Sequence, residues 1–226
     1  MAKKRLVLFI DSVHPLLYEG LEHAGYECIW LHDAPQSKIY TMLPEAEGVV
    51  LRSRVRIDSD FLAESPKLSW IARSGSGMEN IDVEQAKKQG IRVVNAPEGN
   101  APAVAEHVIT LILSLFNKVK SGDAEVRKGK WNREANRGIE ISGRTVGIIG
   151  YGHTGKATAK LLSALGAKVL AYDKYLNGFS DANTSECTLE EIKKSAEIIS
   201  FQRQYNEQTH SSFNNDYLKN CPKPIW

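Results

Sequence analysis

Apolar residues along this chain fall in short β-branched runs separated by amphipathic stretches. Residues 6–10, 27–31, 48–51, 68–73 and 91–94 form such runs and predict strands. The stretches between them, 15–24, 36–43, 60–63 and 83–89, carry apolar residues at helical spacing. Asp82 followed three residues later by Gln85 resembles a capping box, and Gly90 is placed to stop the same helix. Strict alternation of strand and helix implies a parallel sheet covered on both faces. Residues 1–98 therefore predict a small doubly wound, flavodoxin-like domain ending near Pro97.

Residues 95–102 read as a break, since they contain Pro97, Gly99 and Pro102. A long helix is expected from Ala103 to about Lys118. Val104, Val108, Leu111, Ile112 and Leu115 repeat at helical spacing, and Ile109 and Leu113 make the helix apolar nearly all round. Such a helix is expected inside a domain interface. Residues 118–140 are polar, with Trp131 as their aromatic anchor. The second domain, 99–226, then alternates again: strand 145–149, helix 156–165, strand 167–172, helix 188–194, strand 197–201, helix 213–219. Residues 223–226 read as the entry to a further strand. A Rossmann sheet has about six strands, so the expectation is an incomplete one, cut within the second domain.

The chain has 226 residues and a net charge of only +2, so neither a nucleic-acid nor a membrane partner is expected. The longest apolar run, 108–116, is well short of the roughly 20 residues of a bilayer span. Cys28, Cys187 and Cys221 form no close pair and read as reduced packing thiols. With no recognisable signal peptide, a cytoplasmic location is expected.

Chemistry enters at Gly150-Tyr151-Gly152-His153-Thr154-Gly155, which follows an apolar strand and opens a helix. The first glycine permits a tight turn, the second a close approach of backbone to pyrophosphate, and the third close packing of helix on strand. The helix start adds free N–H groups and partial positive charge. Asp173 ends the next strand, 23 residues after Gly150, where a carboxylate can accept from ribose hydroxyls. The prediction is a dinucleotide site that prefers NAD, because Asp173 repels a 2′-phosphate; Lys174 is a cation beside it.

Three segments in register resemble the D-2-hydroxyacid dehydrogenase family of phosphoglycerate, glycerate, lactate and formate dehydrogenases. They are 73–82 (RSGSGMENID), 100–107 (NAPAVAEH) and 141–155 (ISGRTVGIIGYGHTG). The resemblance implies an N-terminal substrate domain, an NAD domain, and an active site in the cleft between them. It implies hydride transfer between NAD and a small anionic 2-hydroxy or 2-oxo acid. The family also lends Ser76 a cofactor contact, His153 and Thr154 phosphate-binding amides, and Arg203 a place near the nicotinamide. There the chain departs from the family, since Ser200-Phe201-Gln202-Arg203-Gln204-Tyr205 replaces a pattern containing His and Pro.

Ser74 and Gly75 follow a parallel strand and are expected to form an amide nest for the substrate carboxylate. Arg52 and Arg73 each end a strand and suit a bidentate anion contact. Arg54 and Arg56 add to the basic character of the first loop, which favours a phosphorylated acid such as 3-phosphoglycerate. His107 reads as a satisfied helix histidine rather than a base. No catalytic residue is assigned, because the family's arginine, glutamate and histidine would lie beyond Trp226, and the 226-residue chain is expected to be inactive alone. A homodimer is expected through the long helix and the segment to Trp131. The alternative is a non-catalytic NAD-sensing regulator on the same scaffold.

Overall fold

The structure is a computed structural model and describes residues 5–203, 209–222 and 224–226. The chain divides into two units, Met1–Gly99 and Asn100–Trp226.

The first unit runs β1 (Arg5–Phe9), α1 (Pro15–His23), β2 (Tyr26–Trp30), α2 (Gln36–Met42), a 3₁₀ turn (Leu43–Glu45), β3 (Ala46–Leu51), α3 (Ser59–Ala63), β4 (Trp70–Arg73), α4 (Val83–Lys88) and β5 (Arg92–Asn95). Its five strands are all parallel, in the order β2-β1-β3-β4-β5. That is the flavodoxin-like order, and it reverses direction between β1 and β3. Alternation along β1 explains the double cover. Leu8 and Ile10 join the larger core with Leu31, Ile39, Leu51 and Phe61, while Val7 and Phe9 point to the other face with Val50, Tyr18 and Leu21.

Asp82 caps α4 by accepting the Gln85 N–H at 2.9 Å. The expected capping box is only half made, because the Asp82 N–H donates to the Ile57 carbonyl instead (2.8 Å).

The second unit holds α5 (Pro97–Phe116), whose first residues begin in the preceding unit, then α6 (Val119–Val126), β6 (Thr145–Ile149), α7 (His153–Ala164), β7 (Lys168–Tyr172), β8 (Ser185–Glu186), α8 (Leu189–Ser195), β9 (Ile198–Phe201) and α9 (Asn215–Lys219). The strands are parallel in the order β8-β7-β6-β9, a Rossmann arrangement with its reversal between β6 and β9. Val146 and Ile148 bury toward Phe116, Leu162 and Val169, and Ile149 buries toward Ile192 and Ala196. Trp226 pairs beside β9, donating to the Glu197 carbonyl and accepting from the Ile199 N–H.

Two expectations about α5 are corrected. It starts at Pro97, six residues early, because proline suits the first helical position and Pro102 removes a single N–H near the helix start. It is enclosed on one face only: Ile109, Ile112 and Phe116 pack on the core, whereas Leu111 and Leu115 are 57% and 54% exposed. By length and composition α5 could cross a membrane, which the count of its longest apolar run did not anticipate. Lys118, in the left-handed region at φ 49°, ends it and begins α6, a helix not expected in so polar a segment.

Candidate functional site

The glycine turn sits at the carboxyl end of β6, beside the order reversal of the second sheet. Gly150 has φ +102°, and a Cβ there would come within 2.5 Å of the Gln202 carbonyl oxygen, at the exit of β9. Side-chain-bearing residues are excluded on both counts. A Cβ on Gly155 would collide with the Gly150 carbonyl, so α7 and the turn touch backbone to backbone. A Cβ on Gly152 would have no heavy atom from beyond its chain neighbours within 4 Å. The three glycines thus divide into one for the turn, one for packing, and one facing open space.

Lys156 is the first residue of α7 whose amide is satisfied, by the Gly152 carbonyl at 3.0 Å. The amides of Gly152, His153, Thr154 and Gly155 carry no hydrogen bond among the described residues. Four unpaired donors at the start of a twelve-residue helix fit a pyrophosphate. His153 contributes through its backbone, and its side chain is exposed.

Tyr151, inside the glycine motif, is a residue that motif reading overlooked. It is buried, its hydroxyl lies 3.1 Å from Asp181 Oδ2, and its ring stacks on Phe179 at 4.6 Å. It fastens the 178–187 loop beside the turn. An aromatic residue at the one non-glycine place in the tightest part of the motif was the available signal.

Asp173 follows β7. Its Oδ2 accepts the Tyr151 N–H at 2.7 Å, and its Oδ1 accepts those of Tyr175 (2.8 Å) and Leu176 (3.1 Å). Burial pushes this carboxyl upward, but the three amides, with Lys156 nearby, outweigh it and hold it below the usual carboxylate value. A carboxylate offers about four acceptor positions, so roughly one remains for a ribose hydroxyl. With a lowered value in the folded state, the stabilisation it lends is complete above its unfolded value and is lost as pH falls through the lowered one. NAD affinity should therefore be flat between about pH 5 and 8 and fall only below about pH 4. A titration midpoint near pH 6 would show that another group governs binding.

Arg203 lies just past β9, close to Gly150, with its guanidinium over the Phe201 ring at 5.1 Å and bonded to the Ser212 hydroxyl. Gln204 and Tyr205, part of the departure from the family pattern, lie outside the described residues.

In the first unit, Asp11, Arg52, Arg73 and Asn95 gather at the carboxyl edge of the sheet, and Asp11 and Arg52 flank the reversal between β1 and β3. Ligands of open α/β sheets bind at such a point. Arg52 is exposed, and its guanidinium has no partner among the described residues. Arg73 folds across Gly75, where any Cβ would strike it, and its Nε is buried without a partner. A buried, unsatisfied guanidinium nitrogen is the mark of a missing acceptor.

Three expectations change here. The Ser74 amide donates to the Leu51 carbonyl (2.8 Å) and that of Gly75 to the Arg73 carbonyl (2.9 Å), so neither is left for a nest. In this loop the amides without partners among the described residues begin at Ser76 and run to Asn80. Arg54 is not offered to a ligand either. Its guanidinium bonds the carbonyls of Ile10 (3.1 Å), Leu31 (2.8 Å), His32 (2.5 Å) and Ala34. His107 is exposed on α5 with no side-chain partner among the described residues, rather than a satisfied helix histidine.

Fold and site together define a dinucleotide-binding α/β protein. Residues 109–226 match the family described as D-isomer specific 2-hydroxyacid dehydrogenase, NAD binding domain. The chain belongs to this family, and the cofactor of its second unit is NAD. Over 172 residues it is 37% identical to the D-3-phosphoglycerate dehydrogenase of Mycobacterium tuberculosis, covering 76% of this chain and 32% of that protein. The chain thus spans about a third of the length of this curated relative. Among solved structures it resembles the TT0316 protein of Thermus thermophilus, with a TM-score of 0.80, 26% identity, and coverage of 95% of this chain and 70% of that one. The D-lactate dehydrogenase of Aquifex aeolicus, complexed with NAD and lactic acid, shares the fold at a TM-score of 0.81 and 22% identity, covering 98% and 67%. Nothing among these relatives supports the regulator reading.

Proposed function

We propose that the protein is an NAD-dependent oxidoreductase that transfers hydride between NAD and a D-2-hydroxy acid, with 3-phosphoglycerate as the substrate. The observation that carries the reading is the set of four unpaired amides from Gly152 to Gly155, with Asp173 held beside them. Gly150, Gly152, His153, Thr154, Gly155, Asp173, Ser76 and Arg203 are the proposed cofactor residues. Arg52 and Arg73 are the proposed residues for the anionic acid, with Ser74 and Gly75 shaping the loop after Arg73 rather than donating their amides to it. NAD supplies the redox step. The chain's own residues bind, orient and neutralise charge, and none is assigned as the proton acceptor.

A phosphorylated acid is favoured by Arg52 and Arg56, both exposed on the loop after β3, and by the name of the curated relative. With Arg54 occupied, the argument from basic residues rests on these two. The test is calorimetric titration of the chain with NAD and NADP, then with 3-phosphoglycerate, glycerate and lactate. NAD should bind more tightly than NADP, and 3-phosphoglycerate more tightly than lactate. Equal or tighter NADP binding overturns the cofactor preference, and equal binding of lactate overturns the substrate.

The same reading includes a two-fold homodimer. Leu111, Leu115, Val119 and Val126 are each more than half exposed along α5 and α6, and Trp131 is 81% exposed on the arm that follows. Pairing two copies is the commonest way to cover such a surface. Light scattering is expected to give twice the chain mass at micromolar concentration; a monomer there excludes the dimer.

A further inference from the structure

The loop after β3 is tied down more heavily than an exposed loop needs. Asp11 Oδ2, at the end of β1, accepts three successive N–H groups, those of Arg52 (2.6 Å), Ser53 (3.1 Å) and Arg54 (3.3 Å). From the other side, Asn80 Nδ2 donates to the carbonyls of Arg52 (3.3 Å) and Val55 (3.2 Å). The peptide groups on both sides of Arg52 are therefore held, by side chains from two other loops. The Arg52 side chain itself is exposed and unpaired. Equally telling is what Asp11 does not do. A carboxylate bonded to the backbone of Arg52 could instead pair with its guanidinium and remove it from service. Here the carboxylate is turned into a nest of amides, the kind of concavity that binds anions.

We propose that Asp11 and Asn80 are positioning residues that preorganise Arg52 for an anionic ligand, an inference that rests on the proposed role of Arg52 in substrate binding. The physical reason is entropic. A guanidinium on a mobile loop loses affinity to the ordering of that loop, whereas one on a fixed backbone spends its interaction on the ligand. Two effects of Asp11 on an anion have opposite sign, and this makes the proposal testable. As a negative charge, Asp11 repels the anion; as the anchor of residues 52–54, it aids binding.

Asp11→Asn removes the charge and leaves a neutral amide oxygen to accept the three N–H groups, a weaker acceptor than the carboxylate, which loosens the nest. If charge alone mattered, the anion would bind more tightly. If positioning matters, it binds more weakly.

The experiment titrates the 226-residue chain, its Asp11→Asn and Asn80→Ala variants, and an Arg52→Ala control with 3-phosphoglycerate. NAD affinity and thermal midpoint are measured on the same samples. The expected result is a dissociation constant about tenfold higher for each of the first two variants, at unchanged NAD affinity. Unchanged or tighter binding by Asp11→Asn overturns the proposal while leaving the role of Arg52 intact. If Arg52→Ala binds like the parent chain, the reading of Arg52 fails and the proposal falls with it. Should Asp11→Asn fold poorly, Asn80→Ala decides alone. Its loss also removes an Oδ1 that is buried without a partner, which offsets part of the cost of the two lost hydrogen bonds.

Discussion

Gly152→Val is expected to leave the fold intact and to abolish measurable NAD binding. Gly152 has φ −75° and ψ −157°, values open to any residue, and a Cβ there would have no heavy atom from beyond its chain neighbours within 4 Å. That side chain would occupy the space in front of the four unpaired amides, where a pyrophosphate must come close. A loss of about 100-fold or more in affinity, or about 3 kcal/mol, is the expected scale. Gly155→Ala supplies the contrast. Its Cβ would strike the Gly150 carbonyl, so stability and binding should fall together. Fluorescence titration with NADH, paired with thermal unfolding, separates the two. A Gly152→Val chain that still binds within a few-fold of the parent would mean the pyrophosphate lies elsewhere.

Arg54→Ala should be the most destabilising single change among the exposed residues of the first unit. It leaves the carbonyls of Ile10, Leu31, His32 and Ala34 without their shared donor. Hydrogen bonds to a charged group contribute about 1.5–3 kcal/mol each, but these lie partly in water and share one guanidinium. A total of about 2–4 kcal/mol is expected, which lowers the melting temperature of a unit this size by on the order of 10 °C. Arg54→Lys should recover little, since one ammonium cannot span four carbonyls. An unchanged melting temperature would show the clamp to be idle.

The parts legible from sequence are those decided locally. Each of the five expected strands of the first unit is present within two residues, because β-branched runs between turn residues leave few alternatives. The tight turn at Gly150 and the close packing at Gly155 follow from local demands that lie within a few residues. What was not legible depends on pieces that meet only in the fold. Nothing in the sequence near Arg54 says that carbonyls from the ends of β1 and β2 will surround it. The Ser74 amide is captured by Leu51, a strand away, which moves the free donors on to Ser76 and beyond. Two prolines in 97–102 suggest a break ahead of α5, yet Pro97 suits the first helical position and Pro102 is accommodated inside the helix. The two-residue strand β8 is too short to leave a hydrophobic pattern.

The clamp on Arg54 also bears on how the basic loop looks from a distance. Its cation stands within a few residues of the Asp11 carboxylate in space, both facing backbone dipoles, and beyond about a Debye length of 8–10 Å such opposite charges largely cancel. An approaching anion therefore meets the field of Arg52, Arg56 and Arg73, without a fourth charge from Arg54. Capture at this edge should weaken with added salt as a three-cation site does, and the ionic-strength slope of the association rate would count the charges that the ligand sees.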